Sequence, residues 1–213
     1  MLLSVLTSGQ SLQEMLPFIL SWLIAITVGL TVHEFAHAWA ADRVGDPTPR
    51  AAGRVSLNPI DHYDPIGTTM ILLFGIGWGK PVPVNPFNFR KIRRDSVIVA
   101  AAGISTNILI AGLAAIPIRF GFAGDYVLPL SVMILLNLIL AFFNLLPVGP
   151  LDGAGIVEGL LPPRASEKFV AFSRRWGMIL LLAIIIFDPI TNVLVWTPVT
   201  LLGRLLAGPA WFF

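Results

Sequence analysis

The stretch ITVGLTVHEFAHAWAADRVGD, residues 26–46, decides how the chain is read. It sets His33, Glu34 and His37 at HExxH spacing inside a run otherwise apolar enough for a membrane helix. Ionisable side chains in such a helix are costly and by default mark function. Helix positions i and i+4 share a face, so the imidazoles of His33 and His37 can reach one ion. Glu34, next to the first of them, is placed to take a proton from a water there. The plainer reading is a pair of interior histidines that pack or relay protons with a glutamate, and the apolar surroundings count against it.

Composition supports a membrane setting for this motif. Of 213 residues, 56% are hydrophobic and 12% charged, and mean hydropathy is +0.83. Soluble chains carry about 25% charged residues. With no cysteine there is no thiolate site, so any metal falls to His, Asp or Glu. Residues 1–13 lack Lys and Arg, so no signal peptide is expected and the first apolar run is expected to be retained. No repeat or polar domain interrupts the chain. We read 1–213 as one membrane-embedded unit, with a core at 16–155 and an apolar C-terminal segment at 176–213.

The fold class expected is an α-helical polytopic membrane protein. About four transmembrane helices are predicted: residues 16–41, 96–118, 127–146 and a last stretch, 176–202, broken by Asp188-Pro189 and Thr197-Pro198. Residues 67–90 fit none of these. The first part, 67–79, is short and glycine-broken, and 81–89, PVPVNPFNF, alternates like extended chain, so a re-entrant or hairpin-like segment is predicted. If 67–79 turns back, twelve of the fourteen Lys and Arg share one side; if it crosses, the sides hold nine and five. The positive-inside rule selects the sharper asymmetry, with the N-terminus outside and the loop after the first span in the cytoplasm. The basic run at 90–94 directly precedes a span, so it reads as a headgroup anchor rather than a nucleic-acid site.

A hydrolytic zinc site needs three protein ligands and one open position. The one other histidine is His62, in NPIDHYDP, and the best acidic candidate is Asp152, in NLLPVGPLDGAG at 144–155. A plain helix-stop turn also accounts for Asp152. Topology bears on the choice. With 67–79 re-entrant, His37 and Asp152 both sit at the cytoplasmic ends of spans. Otherwise a hydrocarbon layer about 30 Å thick separates them, too far for metal bonds of about 2 Å.

In five stretches taken in order, the chain resembles the site-2 proteases, intramembrane zinc metalloproteases. They are HEFAH (33–37), RVSLNPIDHYDPIGT (54–68), GWGKPVPVNPFNFR (77–90), AAAGISTN (100–107) and NLLPVGPLDG (144–153). The likeness is to the compact form without a PDZ domain. It implies one zinc ion per chain on His33, His37 and Asp152, with Glu34 as general base. It also implies that Asn107 faces the site as a catalytic donor to the oxyanion or substrate backbone, although helix–helix packing accounts for an Asn there equally well. Asn144 is expected to brace the loop carrying Asp152, and His62 to serve loop structure. The implied substrate is a single-span membrane protein, cleaved in or near its helix during regulated proteolysis or membrane-peptide clearance. Residues 81–89 offer an edge for an extended substrate, or else form a surface loop. Two other functions fit the same residues less well: a membrane metal-ion carrier, and a non-catalytic scaffold that binds helices.

Overall fold

The structure, a computed structural model, describes residues 11–74, 77–209, 211 and 213. Its longer helices are α1 (Leu12–Val44), α2 (Pro65–Phe74), α3 (Ile92–Arg119), α4 (Val127–Asn144), α5 (Asp152–Leu160), α6 (Pro163–Ile186) and α7 (Asp188–Ala207). The last passes through a wider π-turn at Asn192–Trp196. Five of them, α1, α3, α4, α6 and α7, are long and apolar enough to cross a membrane. No strand occurs among the described residues. The chain is an α-helical polytopic membrane protein.

Local chemistry fixes the ends of α1. At its start Ser11 and Glu14 exchange side-chain-to-backbone hydrogen bonds, a capping box. It stops at Gly45, whose φ of 117° is a left-handed conformation that side chains disfavour. α1, α3 and α4 pack together through small residues, among them the fully buried Ala25, Ala41 and Ala111. In lipid, water does not drive helices together, so close van der Waals approach has to. α7 covers the α3–α4 pair, burying Val195 and Val199 against Ala111, Ile134 and Leu138.

Residues 67–90 turn back. α2 has ten residues, about 15 Å of helix and half the hydrocarbon thickness. The chain then returns to where it began: Gly67 packs directly on Trp78, and Lys80 N–H donates to the His62 carbonyl at 2.9 Å. Both ends of the excursion therefore lie at one level. The expected hairpin-like part has no ladder among the described residues. Residues 81–85 form neither helix nor strand and Pro86–Asn88 make one tight turn, because Pro81, Pro83 and Pro86 remove the amides that a ladder needs. Within the regions read from sequence, residues 1–10, 75–76, 210 and 212 lie outside the described residues.

The C-terminal segment, ambiguous by sequence pattern, is tied by its contacts to both ends of α3. Near the start of α3, Arg93 donates to the carbonyls of Leu160 and Leu161. At the far end of α3, Arg119 donates to the Leu205 carbonyl at 2.8 Å. These arginines are 26 residues apart, about 39 Å along the helix. Residues 161–205 thus cross the bundle once, although α6 and α7 are each long enough to cross. Gly149, just past α4, packs against Ser173 and Gly177 halfway along α6. The charged first half of α6 therefore runs past the Gly149 end of α4.

The chain has no cysteine, so single introduced ones report cleanly. Ser56→Cys, Asn88→Cys and Glu167→Cys are expected to label from one face of the membrane, and Phe122→Cys and Pro209→Cys from the other. Labelling of positions 167 and 209 from the same face would disprove the single C-terminal crossing.

Candidate metal centre

α1 and α5 bring the three expected ligands together. His33 Nε2 and His37 Nε2 are 3.0 Å apart, and Asp152 Oδ2 lies 3.3 and 3.2 Å from them. The outward ring nitrogens fix the tautomers. His37 Nδ1 is 2.7 Å from the Val99 carbonyl, which can only accept, so this nitrogen carries the proton. Asn107 Nδ2 faces the Gly29 carbonyl at 3.1 Å, and that orients its amide. Asn107 Oδ1 is left to accept from His33 Nδ1 at 2.7 Å. In the neutral rings both Nε2 atoms then hold lone pairs aimed at a common point. Asp152 Oδ2, buried and without a hydrogen-bond partner, supplies a third.

Three electron pairs converging on a buried point repel one another unless a cation lies among them. Tetrahedral zinc with bonds of about 2.0–2.2 Å sets its ligand atoms about 3.3 Å apart. The spacing of 3.0–3.3 Å fits such an ion.

Backbone shape makes room for the cluster. A Cβ on Gly103 of α3 would stand 2.6 Å from His33 Cε1 and closer still to His37 Nε2. Gly153 lies directly on the carbonyls of Leu145 and Leu146, which lets the chain turn after α4 and aim Asp152 back at α1. The ligands open onto a cleft of about 390 Å³. Half-buried Glu34 lines it beside His33, and Pro81, Val82 and Val84 contribute to its lining.

Two residues expected to act at the site make other contacts. Asn107 does not offer its amide to a substrate: both its N–H groups are taken, by Gly29 O and by Asn137 Oδ1 at 2.8 Å. Its place is behind His33, tying α1, α3 and α4 together. Among the described residues, Asn144 donates to Leu140 O in its own helix at 3.0 Å and its side chain makes no hydrogen bond to the Asp152 loop. His62 lies outside the cleft lining, bonded to Ser56 O and Arg54. Sequence reasoning missed the Val99 carbonyl, which carries no side-chain signal. It also missed Asn137, a buried amide in an apolar helix that the cost argument applied to His33 could have flagged.

Gly103→Ala is expected to abolish stoichiometric zinc binding while helix content by circular dichroism is kept. Full zinc occupancy in this variant, measured by atomic absorption, would show that the space at Gly103 is not needed.

Residues 122–184, a window that includes Asp152, match the family model described as Peptidase family M50. The chain is 37% identical over 191 residues to the candidate zinc metalloprotease YwhC of Bacillus subtilis, covering 85% of this chain and 86% of that relative. It is 29% identical over 176 residues to the candidate zinc metalloprotease Rip2 of Mycolicibacterium smegmatis, covering 79% and 66%. With Rip2 of Mycobacterium tuberculosis H37Rv the identity is 30% over 175 residues, covering 78% and 65%. No solved structure matches the chain. A relative this similar over nearly the whole of both chains, together with the family match, shows that the chain belongs to peptidase family M50, the site-2 protease family.

Proposed function

We propose that this chain is a zinc-dependent intramembrane endopeptidase that hydrolyses peptide bonds in or near the helix of a single-span membrane protein. The observation that carries this reading is the convergence of His33 Nε2, His37 Nε2 and Asp152 Oδ2 with no proton donor among them, at the wall of a cleft lined by Glu34. The names of the relatives point the same way.

In this mechanism His33, His37 and Asp152 hold one zinc ion. Zinc so held supplies Lewis acidity, polarising a carbonyl and making a water acidic near neutral pH. Glu34 accepts the proton of the attacking water at its carboxylate as oxygen adds to the scissile carbonyl carbon. It then delivers that proton to the amide nitrogen, the C–N bond breaks, and a carboxylate and an amine leave. Asn107 and the Val99 carbonyl keep the two rings in the tautomer that holds the ion, the kind of support that metal-binding histidines need.

A helical substrate hides its carbonyls in i→i−4 bonds and must unwind to be cut. Residues 81–84 make no backbone–backbone hydrogen bond among the described residues, and Val82 and Val84 line the cleft. They can receive an extended segment, although Pro81 and Pro83 offer no donor. Orientation follows the charge asymmetry: with 67–79 turned back, the twelve basic residues and the metal cluster face the cytoplasm and residue 11 lies outside.

Glu34→Gln is expected to keep zinc while cleavage of a single-span substrate in detergent falls by about 10²–10⁴-fold. A chelator is expected to abolish cleavage, and added zinc to restore it. Cleavage that survives both treatments would end the protease reading. Zinc flux into proteoliposomes that Glu34→Gln abolishes would favour a carrier instead.

A further inference from the structure

The segment that lines the cleft is gripped at both ends by buried ionic groups of opposite sign. At one end is Arg54, 3% exposed. Its guanidinium donates to Pro81 O at 2.9 Å and to Lys80 O, and it reaches His62 Nδ1 at 3.2 Å. His62, 2% exposed, faces the Ser56 carbonyl with Nε2 at 2.8 Å. That carbonyl can only accept, so Nε2 carries the proton and Nδ1 is free to accept from Arg54. The Lys80 amide closes the ring by donating to His62 O.

At the other end is Asp46, fully buried just past the left-handed stop of α1. Its carboxylate accepts from the Asn85 amide at 2.7 Å, from Asn88 Nδ2 at 2.8 Å, and from the Thr48 amide and hydroxyl at 3.1 and 2.6 Å. Burial raises this carboxyl, yet hydrogen bonds from Asn88, Thr48 and Asn85 lower it below its ordinary value, so it remains an anion.

Between the two grips run residues 81–84, which make no backbone–backbone hydrogen bond among the described residues. A wall of a groove normally owes its shape to a ladder or a helix. This one has neither, and its register against the metal cluster rests on Arg54 and Asp46. Such a constraint matters for seating a peptide and little for the reacting atoms, since both charges lie outside the cleft lining. We propose that Arg54, held by His62, and Asp46 are positioning residues that fix residues 81–84 in the register that binds substrate, and so set substrate affinity rather than the chemical step. The inference rests on the reading of the cleft as a peptide groove.

Charge and geometry can be separated experimentally. Glu34 and Asp61 act on Arg54 through space, and Arg54→Lys keeps that charge while losing the fork that spans two carbonyls. In full-length protein that cleaves a single-span helix, Arg54→Lys and Asp46→Asn are expected to raise KM by about tenfold or more, with kcat and zinc content kept. His62→Gln, which can donate to Ser56 and accept from Arg54, is expected to behave as wild type. His62→Leu is expected to behave as Arg54→Lys. Asn88→Ala, at an exposed residue that loses one bond to Asp46, is the mild variant should Asp46→Asn fail to purify, with a smaller rise in KM. In the Glu34→Gln background, the same changes are expected to weaken binding of a fluorescent single-span peptide by the same factors. Unchanged KM and binding in Arg54→Lys and Asn88→Ala, or a fall in kcat at constant KM, would overturn the clamp while leaving the protease intact. A wild-type protein that cleaves nothing removes both.

Discussion

Within a hydrocarbon layer a polar group has no water to turn to, so each one has to find its partner inside the protein. That constraint organises the bundle. Asn107 of α3 binds His33 and Gly29 of α1 and Asn137 of α4, and Asn137 spends its own amide on Met133. His37 of α1 is bound to the Val99 carbonyl of α3. The bonds that orient the two imidazoles are thus the same bonds that fix the spacing of three helices. Gly29 and Gly103 allow the close approach, since a side chain at either position would meet this network. Among the described residues, His33 Nε2, His37 Nε2 and Asp152 Oδ2 form an inward-facing cluster of polar atoms left without a donor. The packing is complete without them and the chemistry begins with them.

Outside the layer, the same need is met by ions instead of amides. The segment 80–90 has too many prolines to form a ladder, and buried Arg54 and Asp46 take up the backbone groups that a ladder would have used. Buried charges are expensive, and they persist where hydrogen bonds satisfy most of their valence. Asp46 accepts four bonds. Arg54 donates to two carbonyls and a histidine and leaves Nε unpaired.

What was legible in the sequence was whatever local spacing or a parity count could fix. The HExxH helix was readable because i and i+4 share a face whatever surrounds them. The convergence of Asp152 on it was readable because basic residues count on one side only if 67–79 turns back, and the structure shows the turn in the Lys80–His62 bond and the Gly67–Trp78 contact. The role of Asn107 was not readable. A side-chain amide can bond in several directions, and its partners here are a carbonyl on α1, a ring on α1 and another amide on α4, none of them set by sequence distance. His62 serves loop structure as expected, but its partner Arg54 escaped, since the other groups Arg54 binds are main-chain carbonyls. Those carry no residue signature.

The last two helices show where hydropathy stops being a guide and contacts take over. By length and composition α6 and α7 each qualify as a span, yet Arg93 and Arg119 tie the ends of this region to opposite ends of α3. α6 is therefore free to do something other than cross with its charged half. α5 has nine residues and is too short to be stable alone. It is braced by α6, where Ser166 donates to Glu158 O and Gly177 meets Gly149, and by Arg93, which takes the carbonyls at its C-terminal end. Asp152 is the first residue of α5, so the carboxylate that completes the cluster depends on α5 being held against both α3 and α6. The polar first half of α6 is thus part of the architecture of the metal centre.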